Sequence, residues 1–284
     1  MEKEQILRKF DMLLEMRNLT PKTQKSYHLY ADTYLSWCES SCLEPDNPDL
    51  ETIYGYYKYL IDFKKYAART INTNMSCIKT LLIYVFHMRL DRYMIPHLKV
   101  DTNVRVILSL SEVKIFINSL SNLKHKAIVS VMYSCALRAS EVCSLRYEDV
   151  SREKKEVMIR SAKNRSARIV PVSEHAIDTL TEYWFKYGKP RGWLFPGQKP
   201  DTHISVATLR VIITDNCIKL GWKDKGITTH TFRHSAGTHL YENGCNLPTI
   251  QKFLGHRTLS STLVYISNSA LNDVRNPLDM AMEG

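Results

Sequence analysis

Apolar side chains recur at three- and four-residue intervals along most of this chain, while strand-type alternation is confined to one stretch. That pattern predicts a mainly α protein with a small β-sheet. The clearest stripe is Tyr27, Tyr30, Ala31, Tyr34, Leu35 and Cys38, at i, i+3, i+4, i+7, i+8 and i+11. Thr20 precedes it as an N-cap, and Pro21 fits the first helical position, where its missing N–H would have no partner anyway. Ile6, Leu7, Phe10, Leu13 and Leu14 mark an earlier helix. Pro45 and Pro48 break the chain, and a third helix is expected from Leu50 to Phe63. A fourth carries Ile71, Met75, Ile78, Leu82, Val85 and Phe86 on one face. Four helices with short connections predict a small bundle over residues 1–90.

Residues 91–106 contain Pro96, lose helical periodicity and alternate in charge, as expected of an interdomain linker. The second domain, residues 107–284, opens with Ser109 or Ser111 as an N-cap before a helix from Glu112 to Leu120. An apolar helix near Ala127–Ala136 follows. Val157 and Ile159, then Ile169, Val170 and Val172, flank a polar turn and predict a β-hairpin. Helical patterns resume over Glu174–Tyr187, Ser205–Leu220, Phe232–Glu242 and Leu247–Leu254. The expected architecture is a helical bundle followed by a mixed α+β domain.

Charge narrows the partner. The net charge is +10 and the pI about 9.2, with most of the excess after residue 100, which favours a polyanion such as nucleic acid or an anionic membrane surface. The longest apolar runs, Ile78–Phe86 and Ala127–Leu137, are sized for core helices rather than a bilayer. The charged N-terminus has no apolar signal region behind it. Seven cysteines, an odd number, fit reduced thiols in or near cores. Cys38 and Cys42 lack a second Cys or His pair at zinc-site spacing. Gly221 and Gly226 have P-loop spacing, but Ile227 and Thr228 follow where Lys and Ser/Thr are required. No carboxylate cluster suggests a two-metal site; Asp149 and Asp215 are isolated, in keeping with helix caps or solvated groups. Phosphodiester chemistry on this chain is therefore expected to need neither a metal nor a nucleotide cofactor.

What remains is a set of cations and proton carriers in the second domain. His230 and Arg233 stand three apart at a helix start. His256 follows Gly255, which reads as a helix stop, and Tyr265 lies nine residues later. Arg138 follows the apolar helix, and Lys163 occupies the hairpin turn. Such groups suit a phosphodiester in transit: guanidiniums hold the non-bridging oxygens, a lysine or imidazole protonates the leaving oxygen, and a hydroxyl attacks. Taken singly, each has an ordinary structural alternative. Arg138 could pair with Glu141, Lys163 could be a solvated turn residue, and Tyr265 is one of sixteen tyrosines.

In order and at these spacings, the residues resemble the tyrosine recombinase (phage integrase) family. Ala136-Leu137-Arg138-Ala139-Ser140-Glu141 looks like its first arginine box, and Ser161 to Val172 like its lysine-bearing hairpin. Thr229-His230-Thr231-Phe232-Arg233-His234 looks like its HxxR box; Leu254-Gly255-His256 with Tyr265 looks like its closing motif. Arg17 to Thr23, leading into the Tyr27 helix, resembles the start of its helical core-binding domain. Ala136 and Ala162 stand where the family often has glycine.

The resemblance implies that Arg138 and Arg233 hold the scissile phosphate, Lys163 protonates the 5′-hydroxyl, His230 and His256 share proton transfer and phosphate contact, and Tyr265 is the nucleophile. It implies double-stranded DNA with specific sites as partner, a homotetramer on two paired sites, a C-shaped clamp on DNA, and a tail beyond Leu271 that packs on its own domain or docks on a neighbour. Arg69 and Lys79 on the fourth helix, with Arg165 and Arg168 in the hairpin, are candidate DNA contacts. A bacterial cytoplasmic, nucleoid-associated enzyme is expected, of the simple two-domain kind and close to a cointegrate resolvase of a class II transposon. Accessory DNA-bending proteins are left undefined. The alternatives are a type IB topoisomerase and a non-catalytic DNA-binding regulator on the same fold.

Overall fold

The computed structural model describes residues 2–90, 94–100, 105–160, 167–189, 191–199 and 201–263. The chain divides into two compact units, Met1–Asn103 and Val104–Gly284.

In the first unit, α1 (Lys3–Met16), α2 (Pro21–Ser40), α3 (Leu50–Lys58) and α4 (Ala68–Tyr84) enclose a core of Phe10, Leu14, Tyr34, Leu35, Tyr56, Leu60, Met75, Ile78 and Leu82. Thr20 caps α2 as expected, its hydroxyl accepting the Thr23 N–H at 3.3 Å. The third helix does not stay α-helical to Phe63. After Lys58 it widens into a π turn, Tyr59–Phe63, in which Lys64 N–H reaches back five residues to the Tyr59 carbonyl. Within that turn Tyr59 stacks on both Tyr56 and Phe63.

Part of the stretch expected to link the domains packs on this unit. Ile95 is buried in its core, the Asn72 side chain exchanges two 2.8 Å hydrogen bonds with the Leu98 backbone, and the Tyr57 hydroxyl donates to the Pro96 carbonyl. Side-chain anchors hold this segment, so it needs no helical period.

In the second unit, Ser109 caps α5 (Leu110–Ser119), with Glu112 reaching back to the Ser109 N–H at 2.8 Å. Asn122 caps α6 (Leu123–Ser134), so that helix starts four residues before the expected Ala127. A short α7 (Ala139–Cys143) follows, then an antiparallel sheet in the order β1 (Val150–Ser151), β2 (Glu156–Ile159), β3 (Arg168–Pro171). The expected hairpin is β2–β3, with Val157 opposite Val170 and Ile159 opposite Arg168; β1 was not expected. Val157, Ile159 and Val170 turn inward onto a core shared with α6 and α8 (Glu174–Lys186). The remaining helices are α9 (Val206–Lys219), α10 (Thr229–Glu242) and α11 (Leu247–Leu254).

Asp149 is not a solvated residue. It is buried, accepts the Arg160 Nε–H at 2.5 Å, and accepts the Arg146 backbone N–H at 2.8 Å. The seven cysteines are free thiols, and no helix among the described residues is long and apolar enough to cross a membrane.

Candidate active site

Three chain reversals bring the second domain's cations together. The first follows α6. Ala136 takes φ +47°, a left-handed conformation that favours glycine, and the turn places Arg138 at the mouth of α7. Arg138 donates its backbone N–H to Glu141 Oε2 at 2.9 Å and its guanidinium to Oε1 at 2.7 Å. The pairing weighed from sequence is therefore present, and it holds the guanidinium rather than hiding it, because a second nitrogen donates to the Gly255 carbonyl at 3.3 Å.

The second reversal opens α10, which begins at Thr229, three residues before the expected Phe232. Thr228 and Thr231 cap each other's backbone, and the Thr228 hydroxyl also accepts the His230 N–H at 3.2 Å. His230 is thereby left exposed on the first turn while Arg233, one turn on, points inward and is only 3% exposed. Arg233 donates to the Ala136 carbonyl at 2.7 Å and to the Leu254 carbonyl at 2.5 Å.

The third reversal closes α11. Asn246 caps its start, and Gly255 at φ +64° stops it. Helix ends leave carbonyls without intrahelical partners, at the negative pole of the helix dipole. Here three arginines from three elements meet them: Arg168 donates to the Phe253 carbonyl at 3.0 Å, Arg233 to that of Leu254, and Arg138 to that of Gly255.

His256 sits just beyond, tied by backbone and side-chain hydrogen bonds to Gln251 and by its Nδ1 to the Thr262 hydroxyl at 3.0 Å. Burial pushes His256 down to about 4, helped by the Arg233 and Arg138 charges. His234 is also pushed down to about 4, by burial and then by Arg105, whose guanidinium lies 3.4 Å from its ring nitrogen. His230, although exposed at the surface, is lowered by partial desolvation of its ring and then by Arg233 and Arg138. All three imidazoles are therefore neutral at pH 7. Burial alone would raise Glu141, but hydrogen bonds from Arg168 and from the Arg138 backbone outweigh it and hold the carboxyl at about 2. Among the described residues, Arg138, Arg168 and Arg233 thus gather around the Glu141 carboxylate, with Arg105 against His234, and the surplus positive charge favours an anion.

Of the residues singled out in the sequence, the structure brings Arg138, His230, Arg233 and His256 together. Lys163, Arg165, Tyr265 and the tail from Leu271 lie outside the described residues. Arg69 is exposed on the first turn of α4 and Lys79 partly exposed ten residues on, along a polar stripe with Thr73 and Ser76. Arg168 departs from the expectation of a DNA-facing cation. Its side chain is 10% exposed and turned inward, with both terminal nitrogens on Glu141 at 3.1 and 2.9 Å. Three participants were not foreseen. Glu141 had been weighed only as a partner for Arg138, and His234 lay unassigned beside Arg233. Arg105 falls inside the stretch expected to be linker, where no motif marks it.

Comparison with known proteins places this arrangement. The sequence model of the phage integrase family matches residues 104–271, and that of the phage integrase N-terminal SAM-like domain matches residues 6–91. A tyrosine recombinase of Pseudothermotoga lettingae is 30% identical over 271 residues, spanning 93% of each chain. The tyrosine recombinase XerA of Pyrococcus horikoshii is 26% identical over 264 residues, covering 92% of this chain and 88% of its own. Among solved structures, the Tn1549 transposon integrase in complex with transposon right end DNA superposes with a TM-score of 0.77 at 17% identity, over 98% of both chains, a likeness of fold.

Proposed function

The chain belongs to the phage integrase family and is a tyrosine-type site-specific recombinase, and we propose that Tyr265 is its nucleophile, acting on a phosphate held by Arg138 and Arg233. In the proposed step the Tyr265 oxygen attacks phosphorus, the bond to the 5′-oxygen breaks, and Lys163 delivers a proton to that oxygen. The two guanidiniums offset the charge that grows on the non-bridging oxygens. His230 and His256, neutral at pH 7, can accept the tyrosine proton or donate a hydrogen bond to the phosphate. The phosphotyrosine ester conserves the energy of the broken bond, so attack by a 5′-hydroxyl reseals the strand without ATP.

The observation that carries this reading is the convergence of Arg138 and Arg233, from two separate motifs, on adjacent carbonyls at the end of α11, immediately before His256. Double-stranded DNA is the proposed partner, a reading supported by the Tn1549 integrase structure in complex with transposon right end DNA. A homotetramer on two paired sites, the roles of Arg69, Lys79 and Arg165 as DNA contacts, a place on the bacterial nucleoid and a resolvase-like task on a mobile element belong to the same proposal.

Selection from a random-sequence duplex library yields a bound site, and a substrate nicked beside the cleavage position traps the covalent adduct. Wild-type protein should form an adduct stable to denaturant. Tyr265→Phe should form none while retaining its DNA affinity. An adduct that survives in Tyr265→Phe, or none in the wild type, overturns the assignment.

A further inference from the structure

Arg168 is a largely buried cation of the site, its side chain 10% exposed, and it comes from neither arginine motif. It begins β3, five residues after Lys163 in the sequence, and its guanidinium makes three contacts. Two nitrogens bind the two oxygens of Glu141, and Nε binds the Phe253 carbonyl. Glu141 in turn receives the backbone and side chain of Arg138, and lies 3.8 Å from Arg233. The neighbouring helix end is shaped around Arg168: a Cβ on Gly255 would meet three of its atoms at 3.0–3.2 Å.

From these contacts we infer that Arg168 is a positioning residue, which fixes the Glu141 carboxylate and through it the guanidinium of Arg138, rather than a residue that touches DNA. The inference rests on the recombinase reading for its consequence in catalysis. The physical argument is geometric. A carboxylate held by Arg138 alone can swing about its side-chain torsions, and Arg138 would swing with it. A planar guanidinium that meets both carboxylate oxygens while its Nε is tied to a fixed helix end removes that freedom. A lysine keeps the charge but not the fork.

The test uses the full chain, the selected duplex and its nicked form. Arg168→Lys should slow adduct formation at saturating DNA by about 10²-fold, the scale expected for a reacting group displaced by roughly 1 Å. The DNA concentration for half-saturation and the salt slope of binding should stay as in wild type. Loss of affinity with a salt slope reduced by about 1 would instead make Arg168 a phosphate contact and overturn the inference. The double variant Glu141→Gln/Arg168→Met removes the buried charge pair together, so it guards against a single variant that fails to fold. It should be no slower than either single change; multiplied effects would mean that Arg168 acts independently of Glu141.

A second readout needs no DNA. In the free protein, phenylglyoxal labelling followed by peptide mass spectrometry should show Arg138 reacting faster in Arg168→Lys than in wild type, with Arg8 unchanged as a control. If wild-type protein forms no adduct, the recombinase assignment fails, yet this labelling still decides the positioning role. Unchanged Arg138 labelling overturns it.

Discussion

Arg138 and Glu141 are joined twice across one turn, backbone N–H to Oε2 at 2.9 Å and guanidinium to Oε1 at 2.7 Å. The double link makes a catalytic candidate and its counter-charge one unit, started by the left-handed Ala136 and closed by the cap of α7. Because Glu141 is held as a carboxylate to about 2, the unit stays charged throughout the physiological range. Its position does not depend on a bound anion.

Glu141→Gln should therefore harm both stability and chemistry. The Glu141 side chain is 8% exposed, and losing its charge leaves the buried Arg168 and the largely buried Arg138 without their shared counter-ion. Removing one partner of a buried ion pair costs about 3–5 kcal/mol. Urea unfolding should show a midpoint lowered accordingly with unchanged slope. A loss below about 1 kcal/mol would mean that the helix-end carbonyls alone hold the arginines.

Gly255→Ala should destabilise by two routes. The left-handed φ of +64° costs an L-residue about 1–2 kcal/mol, and the new methyl presses on Arg168. If only the backbone matters, Gly255→Asn, a residue tolerated in left-handed turns, should recover much of the loss. If the contact with Arg168 matters too, Asn should be no better than Ala. Thermal melts of the three proteins separate these outcomes.

The helical frame was legible because burial imposes a period: the Tyr27–Cys38 stripe and the capping residues Thr20 and Ser109 occupy the places their chemistry dictates. The residues Arg138, His230, Arg233 and His256 were legible from motif order. What escaped was set by contacts distant in sequence. Arg168 and Glu141 are 27 residues apart, and nothing local distinguishes an arginine turned inward at a strand start from one facing solvent. Arg105 and His234 are 129 apart. Ile95 and Leu98 join the first unit through single anchors to its core, which leave no period to read. Asp149 caps Arg146, one of the two roles open to it in the sequence, but its burial under Arg160, just beyond the neighbouring strand, was not legible.

Arg69 and Lys79 test the proposed DNA contact of the first unit. Arg69 lies on the exposed side of α4, while Lys79, one turn beyond buried Met75, is partly exposed at the edge of the buried face. Replacing either by Met should leave folding unchanged. A cation that meets phosphate should weaken all duplexes alike and reduce the salt slope by about 1, whereas one that meets a base edge should relax preference at a single position. Binding to the selected site and to a scrambled duplex, each at several salt concentrations, distinguishes the two. No change in either measurement would make α4 a solvated face.

The lowered histidines and the lowered glutamate predict a two-part loss of stability on acidification. His234 and His256 titrate near 4 in the folded chain, below the ordinary value of 6.5, first because they are buried and then because arginines surround them. As pH falls from about 6.5 to 4, the unfolded chain takes up protons that the folded chain refuses, so stability declines over that window. Glu141 works in the next window down. Its stabilisation is complete above its ordinary 4.5 and is lost as pH falls towards about 2. The decline should therefore continue without a plateau from near-neutral pH into strong acid. Urea unfolding at intervals of half a pH unit measures it. His234→Gln and His256→Gln should flatten the upper window and leave the lower one, while Glu141→Gln should do the reverse. A histidine variant that leaves the upper slope unchanged would show its imidazole to be solvated and titrating normally, free of the arginines beside it.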